Sequence, residues 1–124
     1  MQSLSILIAQ ADGRVGDLLA SNLHAHFREI HRIGLKELRE RCSSNEATQA
    51  VVVDLELVNF QELQEICTGY RNAAVICTHR LADEQMWVAA LAAGAADCCT
   101  PDDIAGILRA ARSPLLYKPV ARAA

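Results

Sequence analysis

The chain lacks the features that would assign it to nucleic acid, to a membrane or to the secreted proteins. Basic charge is not in excess: 12 Lys plus Arg stand against 15 Asp plus Glu, a formal net charge of −3. No positive field therefore recommends nucleic acid or anionic lipid as a direct partner. No apolar run is long enough for a membrane span, since the longest, Met86 to Ala96, is Ala-rich and interrupted by Gly94. The start, Met1-Gln2-Ser3-Leu4, has no basic region ahead of an apolar stretch, so no secretory signal is read and cytoplasmic residence is expected. Cys-x-x-Cys spacing is absent. The five cysteines (Cys42, Cys67, Cys77, Cys98 and Cys99) are odd in number and sit mostly in apolar runs, as reduced core thiols do. No internal repeat or low-complexity segment is present.

Catalytic and nucleotide motifs are missing too. A dinucleotide site needs Gly-x-Gly-x-x-Gly after the first strand, and Ala11-Asp12-Gly13-Arg14-Val15-Gly16 has two glycines at the wrong spacing. A Ser/Thr/Gly-rich phosphate loop of the flavodoxin kind is absent there, and no nucleophile with a histidine base is recognisable. The chain is expected not to be an enzyme.

What is present is an alternation. At 124 residues and 52% hydrophobic, the chain suits one domain, read as residues 1–112, with a proline-bearing tail or linker stub at 113–124. Short apolar runs at Leu4–Ala9, Phe27–Ile33, Ala50–Asp54, Ala73–Thr78 and Ala95–Cys99 read as strands. Between and after them lie segments of helical period. Asp12 precedes Val15, Leu18, Leu19 and Leu23 on one stripe, and Leu35, Leu38 and Cys42 suggest a short helix ended by Ser43-Ser44-Asn45. Asn59-Phe60-Gln61-Glu62 has the form of a capping box, and Leu81 to Ala93 reads as a helix stopped by Gly94. Thr100-Pro101-Asp102-Asp103 offers a cap, a first-turn proline and two acids ahead of Ile104, Ile107, Leu108 and Ala111. Strict alternation of this kind predicts an α/β fold, a single doubly wound five-stranded parallel sheet of flavodoxin-like order 2-1-3-4-5. Val51-Val52-Val53-Asp54 then carries a carboxylate to the rim of the core, facing the loop after Ala9 across the switch point of the sheet.

In these residues the chain resembles the receiver domains of two-component response regulators, over roughly residues 4 to 111. The resemblance rests on Ser5-Ile6-Leu7-Ile8-Ala9, Val51-Val52-Val53-Asp54, Val75-Ile76-Cys77-Thr78 and the turn Gly94-Ala95-Ala96-Asp97. It implies that Asp54 is the phosphoacceptor, taking a phosphoryl group from a kinase phosphohistidine. It implies also that Thr78 is the switch hydroxyl that turns toward the new phosphoryl oxygen. The implied partners are a histidine kinase or a downstream output protein, met on the face of the fourth helix, fifth strand and fifth helix, where Trp87, Ala90, Asp102 and Arg109 are placed. The oligomeric state is left open.

The departures from the family pattern point to an atypical, pseudo-receiver variant. Two adjacent acids are usual just after the first strand, and here the residues are Gln10 and Ala11, with Asp12 one place later. The usual lysine falls at Pro101, and the aromatic switch position falls near Cys98. Lys118-Pro119 lies too far along to replace the lysine. A phosphoryl group adds about −1.5 to −2 charges. A lysine at ~4 Å would contribute on the order of 4 kcal/mol of gross Coulomb attraction at an effective dielectric of about 20. The resemblance thus implies at most weak Mg²⁺ binding, by Asp54, the backbone carbonyl of Glu56 and Asp12. Phosphorylation is expected to be impaired or absent.

Simpler roles stand beside these. Asp12 serves equally as a helix cap, Glu56 as a solvent-facing acid, Thr78 as a strand-end residue and His79 as a surface histidine that could instead replace the lost cation. A second class of function is cysteine-based redox sensing, in which Cys77 on the neighbouring strand is a better partner than a bond between Cys98 and Cys99, because those two point to opposite faces of a strand. A phosphorylation-independent interaction module is the remaining alternative. Metal binding by His24, His26 and His31 is weakly supported, since a spacing of two does not converge on a helix.

Overall fold

Each strand is followed by a helix that carries the chain back to the same end of the sheet, which is why all the pairings are parallel. The computed structural model describes residues 5–44 and 48–112. In chain order the elements are β1 (Ser5–Ala9), α1 (Gly13–Leu23), β2 (Glu29–Arg32), α2 (Leu35–Glu40) running into a 3₁₀ turn (Arg41–Ser44), β3 (Thr48–Asp54), α3 (Phe60–Gly69), β4 (Ala74–Thr78), α4 (Glu84–Ala93), β5 (Asp97–Cys99) and α5 (Ile104–Ala111). The strands line up as β2-β1-β3-β4-β5, the order expected from the sequence. Among the described residues no helix is long and apolar enough to cross a membrane.

The period of two along the central strands divides the interior into two cores. Leu7, Val51, Val53, Val75 and Cys77 face α3 and α4, meeting Leu63, Ile66, Tyr70, Ala90 and Ala93. Ile6, Ile8, Ala50, Val52 and Ile76 face the other way, against Leu19 and Leu23 of α1 and Ile107 of α5. Tyr70 is fully buried and donates its hydroxyl to Leu38 O at 2.6 Å. Burial pushes its phenol pKa up, so it stays a donor. The edge strand β2 is partly exposed throughout, and its Arg32 reaches over the buried Gly16 to Asp17 and Gly13 O, bracing the start of α1.

Caps explain the helix starts. Asp12 accepts from Arg14 N, and Asn59 and Glu62 form the capping box expected for α3. Several boundaries differ from the sequence reading. The fourth helix begins at Glu84 rather than Leu81, because Asp83 caps it through Met86 N and Ala82 has a left-handed φ of 36°. The fifth strand begins at Asp97 rather than Ala95, because Gly94 closes α4 and Ala95 N still donates to Ala90 O. Asp103 caps α5 through Gly106 N, so Pro101 lies in the preceding turn and not in the first helical turn. The second strand is shorter than Phe27–Ile33, and the third extends back to Thr48. Leu4, Asn45, Lys118, Pro119 and the expected tail at 113–124 lie outside the described residues.

Gly94 has φ of 110°, and a Cβ there would stand 3.1 Å from Cys67 Cβ. Gly94→Ala is expected to cost about 1–2 kcal/mol, since L residues disfavour the left-handed region. The check is a lower urea midpoint at unchanged slope. An unchanged midpoint would contradict it.

Candidate functional site

β1 and β3 are neighbours, but the chain leaves them toward opposite faces of the sheet, so a crevice opens at their carboxyl ends. Asp54 ends β3 in that crevice and is only 8% exposed. Its Oδ2 accepts the Ala11 N–H at 3.0 Å, and its Oδ1 accepts the Glu56 N–H at 2.9 Å. These are charge-assisted hydrogen bonds, the stronger kind. Leu57 N donates to Asp54 O at 2.9 Å, closing the turn that points Glu56 N back at the carboxylate. Among the described residues, no ion pair involves Asp54.

Thr78 is the register partner of Asp54 on β4 and is fully buried. Its Oγ1 accepts from Gln10 Nε2 at 2.9 Å. Gln10 and Ala11, consecutive residues after β1, therefore each hold one polar group at the ends of the adjoining strands. The sequence reading treated Gln10 only as a missing acid. Its contact with Thr78 joins residues 68 positions apart, which local patterning cannot reveal.

The other candidate residues do not gather around Asp54. Asp12 is exposed and its Oδ1 is engaged at the α1 cap. The Glu56 carboxylate turns outward to Arg80 Nη2 at 3.4 Å and His79 Nε2 at 4.0 Å. Leu81 N donates to His79 Nδ1, so the neutral ring carries its proton on Nε2, the atom facing Glu56. His24 and His26 are exposed, and His31 pairs with Glu29 at 3.3 Å. Among the described residues, no group of three or more His, Cys, Asp or Glu could hold a metal ion. A hard divalent cation needs several oxygen ligands. A methyl at Ala11 and an amide donor at Gln10 do not supply them, so this side-chain set does not fit a Mg²⁺ site.

The thiols are packed and unreactive in character. Cys77 and Cys98 are register partners within one core, while Cys99 faces the other. Burial pushes the Cys77 and Cys98 thiols up, and Cys99 up to about 12. Thiolate, the reactive form, is scarce at neutral pH. A contact that sequence reading missed is the bond from Trp87 Nε1 to Asp97 Oδ1 at 3.0 Å, which ties α4 to β5 while Trp87 remains exposed.

No family model matches the sequence, and none of the curated proteins does. Solved structures do. The N-terminal signal receiver domain of a two-component response regulator from Bacteroides fragilis aligns with a TM-score of 0.76 at 20% identity, over 93% of this chain and 98% of that one. A chain of the CheX–CheY–BeF3–Mg²⁺ complex from Borrelia burgdorferi aligns with a TM-score of 0.71 at 20% identity, over 93% and 90%. A response regulator from Burkholderia pseudomallei, with a phosphorylated aspartic acid and a calcium ion, aligns with a TM-score of 0.72 at 18% identity, over 90% and 69%. The likeness is one of fold: the chain has the doubly wound receiver architecture.

Removing the Asp54 carboxylate leaves two amide donors without their acceptor. Asp54→Ala is expected to lose about 1–3 kcal/mol and Asp54→Asn less, because one acceptor oxygen remains. Denaturant melts would check the order. A more stable Asp54→Ala would refute it. For the thiols, intact mass after brief peroxide treatment is expected to show no fast, reversible loss of two protons. Such a loss would revive the redox reading.

Proposed function

We propose that the chain is an atypical receiver-like signalling domain that acts through protein–protein contact, with Asp54 at the phosphoacceptor position and its phosphorylation impaired. The observation that carries this reading is the pairing of Asp54 with Thr78 at adjoining strand ends, with no cation paired to Asp54 among the described residues and Gln10-Ala11 in place of an acid pair after β1. The fold is that of proteins solved with a phosphorylated aspartate or with a beryllofluoride–Mg²⁺ complex. A phosphoryl group on Asp54 would add about −1.5 to −2 charges to a nearly buried site. Desolvated charge without a paired cation is strongly unfavourable. Mg²⁺ affinity is accordingly weak, because Asp54 and the backbone carbonyl of Glu56 stand without Asp12, whose Oδ1 is engaged at the α1 cap.

The domain works by binding rather than by catalysis, in the cytoplasm, with a histidine kinase or an output protein as partner and no direct contact with nucleic acid or membrane. The contact face is α4, β5 and α5. Trp87 and Val88 are 44% and 54% exposed there, and Asp102 and Arg109 are exposed beside them. Ala90 does not belong to that surface, contrary to the sequence reading: it is buried among the residues packed under α4. Raised thiol pKa values and tight packing disfavour the redox alternative.

Titrating Mg²⁺ and beryllofluoride while following amide resonances is expected to give no saturable response around Asp54 at submillimolar Mg²⁺. Tight, saturable binding that Asp54→Asn abolishes would overturn the claim of impairment. Val88→Arg and Asp102→Lys are each expected to weaken partner capture by about tenfold or more, equivalent to about 1.4 kcal/mol. Unchanged capture by both variants would remove this face from the reading.

A further inference from the structure

The residue after β1 is more than a lost acid. Gln10 is half-buried, and its Nε2 donates to Thr78 Oγ1 at 2.9 Å while the next residue's amide holds Asp54. A carboxylate at position 10 could only accept a hydrogen bond and would repel Asp54, whereas a carboxamide donates and carries no charge. The amide thus makes the Thr78 hydroxyl an acceptor. Thr78 opens the loop to α4, where Leu81 N donates to His79 Nδ1 and Ala82 has a left-handed φ of 36°. A non-glycine residue in that region marks a loop held by its surroundings.

We propose that Gln10 is a positioning residue: it latches the Thr78 hydroxyl, and with it the β4–α4 loop, in one conformation that needs neither a divalent cation nor a phosphoryl group. The proposal rests on reading the Asp54 crevice as a receiver-like switch. The Thr78 hydroxyl keeps its own proton while it accepts from Gln10, so a phosphoryl oxygen on Asp54 outside the reach of the latched rotamer is met only when Thr78 turns away from Gln10. A neutral hydrogen bond of ordinary net strength biases such an equilibrium by roughly two- to tenfold toward the latched form. The Thr78 hydroxyl therefore rests in the latched rotamer through the protein's own side chains.

The test uses the full chain and Gln10→Met, which keeps the length of the side chain and removes the donor. The Thr78 methyl carbon shift and its couplings report the side-chain rotamer, and the chain's single tryptophan, Trp87, reports α4 through its indole N–H. In the unaltered protein one Thr78 rotamer is expected, with or without Mg²⁺ and beryllofluoride. Gln10→Met is expected to average the Thr78 rotamers and shift the β4–α4 amides and the Trp87 indole. An unchanged Thr78 in Gln10→Met, or averaged rotamers in the unaltered protein, would overturn the latch. Should Gln10→Met fail to fold, Gln10→Leu also removes the donor without supplying an acceptor, and the same readout applies. A second arm adds carboxylates with Gln10→Asp and Ala11→Asp together. Saturable Mg²⁺ and beryllofluoride shifts in that double variant alone support both readings. Silence there, with Thr78 released in Gln10→Met, would sink the acceptor role of Asp54 and leave the latch standing. A responsive unaltered protein with Thr78 unmoved in Gln10→Met would do the reverse.

Discussion

A carboxylate that is almost buried and has no cation must be satisfied by neutral donors, and most of the local architecture follows from that requirement. Asp54 meets it with two backbone amides, one from the loop after β1 and one from its own turn. Both depend on the parallel register of β1 with β3 and on the tight turn after Asp54. The negative charge is thereby held by peptide dipoles that cannot diffuse away, in contrast to a bound ion.

The same economy of charge extends to the neighbouring strand. Thr78 cannot leave its hydroxyl unpartnered in a fully buried position, and Gln10 provides an uncharged donor from the β1 end. Among the described residues, Arg80 and His79 pair with Glu56 and Arg32 with Asp17, and none of these pairs includes Asp54. The cations brace the rim instead of filling the crevice. Beyond β4, the loop leads into the capped start of α4, whose Trp87 bonds to Asp97.

Much of this was legible before any coordinates. The parallel order followed from alternating apolar runs and helical stripes, and the capping box at Asn59 and Glu62 stood where the residues are found. Boundaries were less readable. Apolar continuity carried the fourth helix back to Leu81, because composition does not register that Asp83 is the cap and Ala82 is left-handed. Likewise the Ala run from Ala89 to Ala96 hid where α4 ends and β5 begins, and it made the buried Ala90 look like surface.

Local pattern determined the fold class and the place of Asp54 at a strand end, because each of these is a matter of period, residue type or short spacing. Only the tertiary structure decided which groups surround that carboxylate. Gln10 with Thr78, Ala11 with Asp54 and Trp87 with Asp97 are each contacts between different elements. Such pairs are set by strand register and helix packing, which bring distant residues to hydrogen-bonding range and leave no trace in the order of the chain.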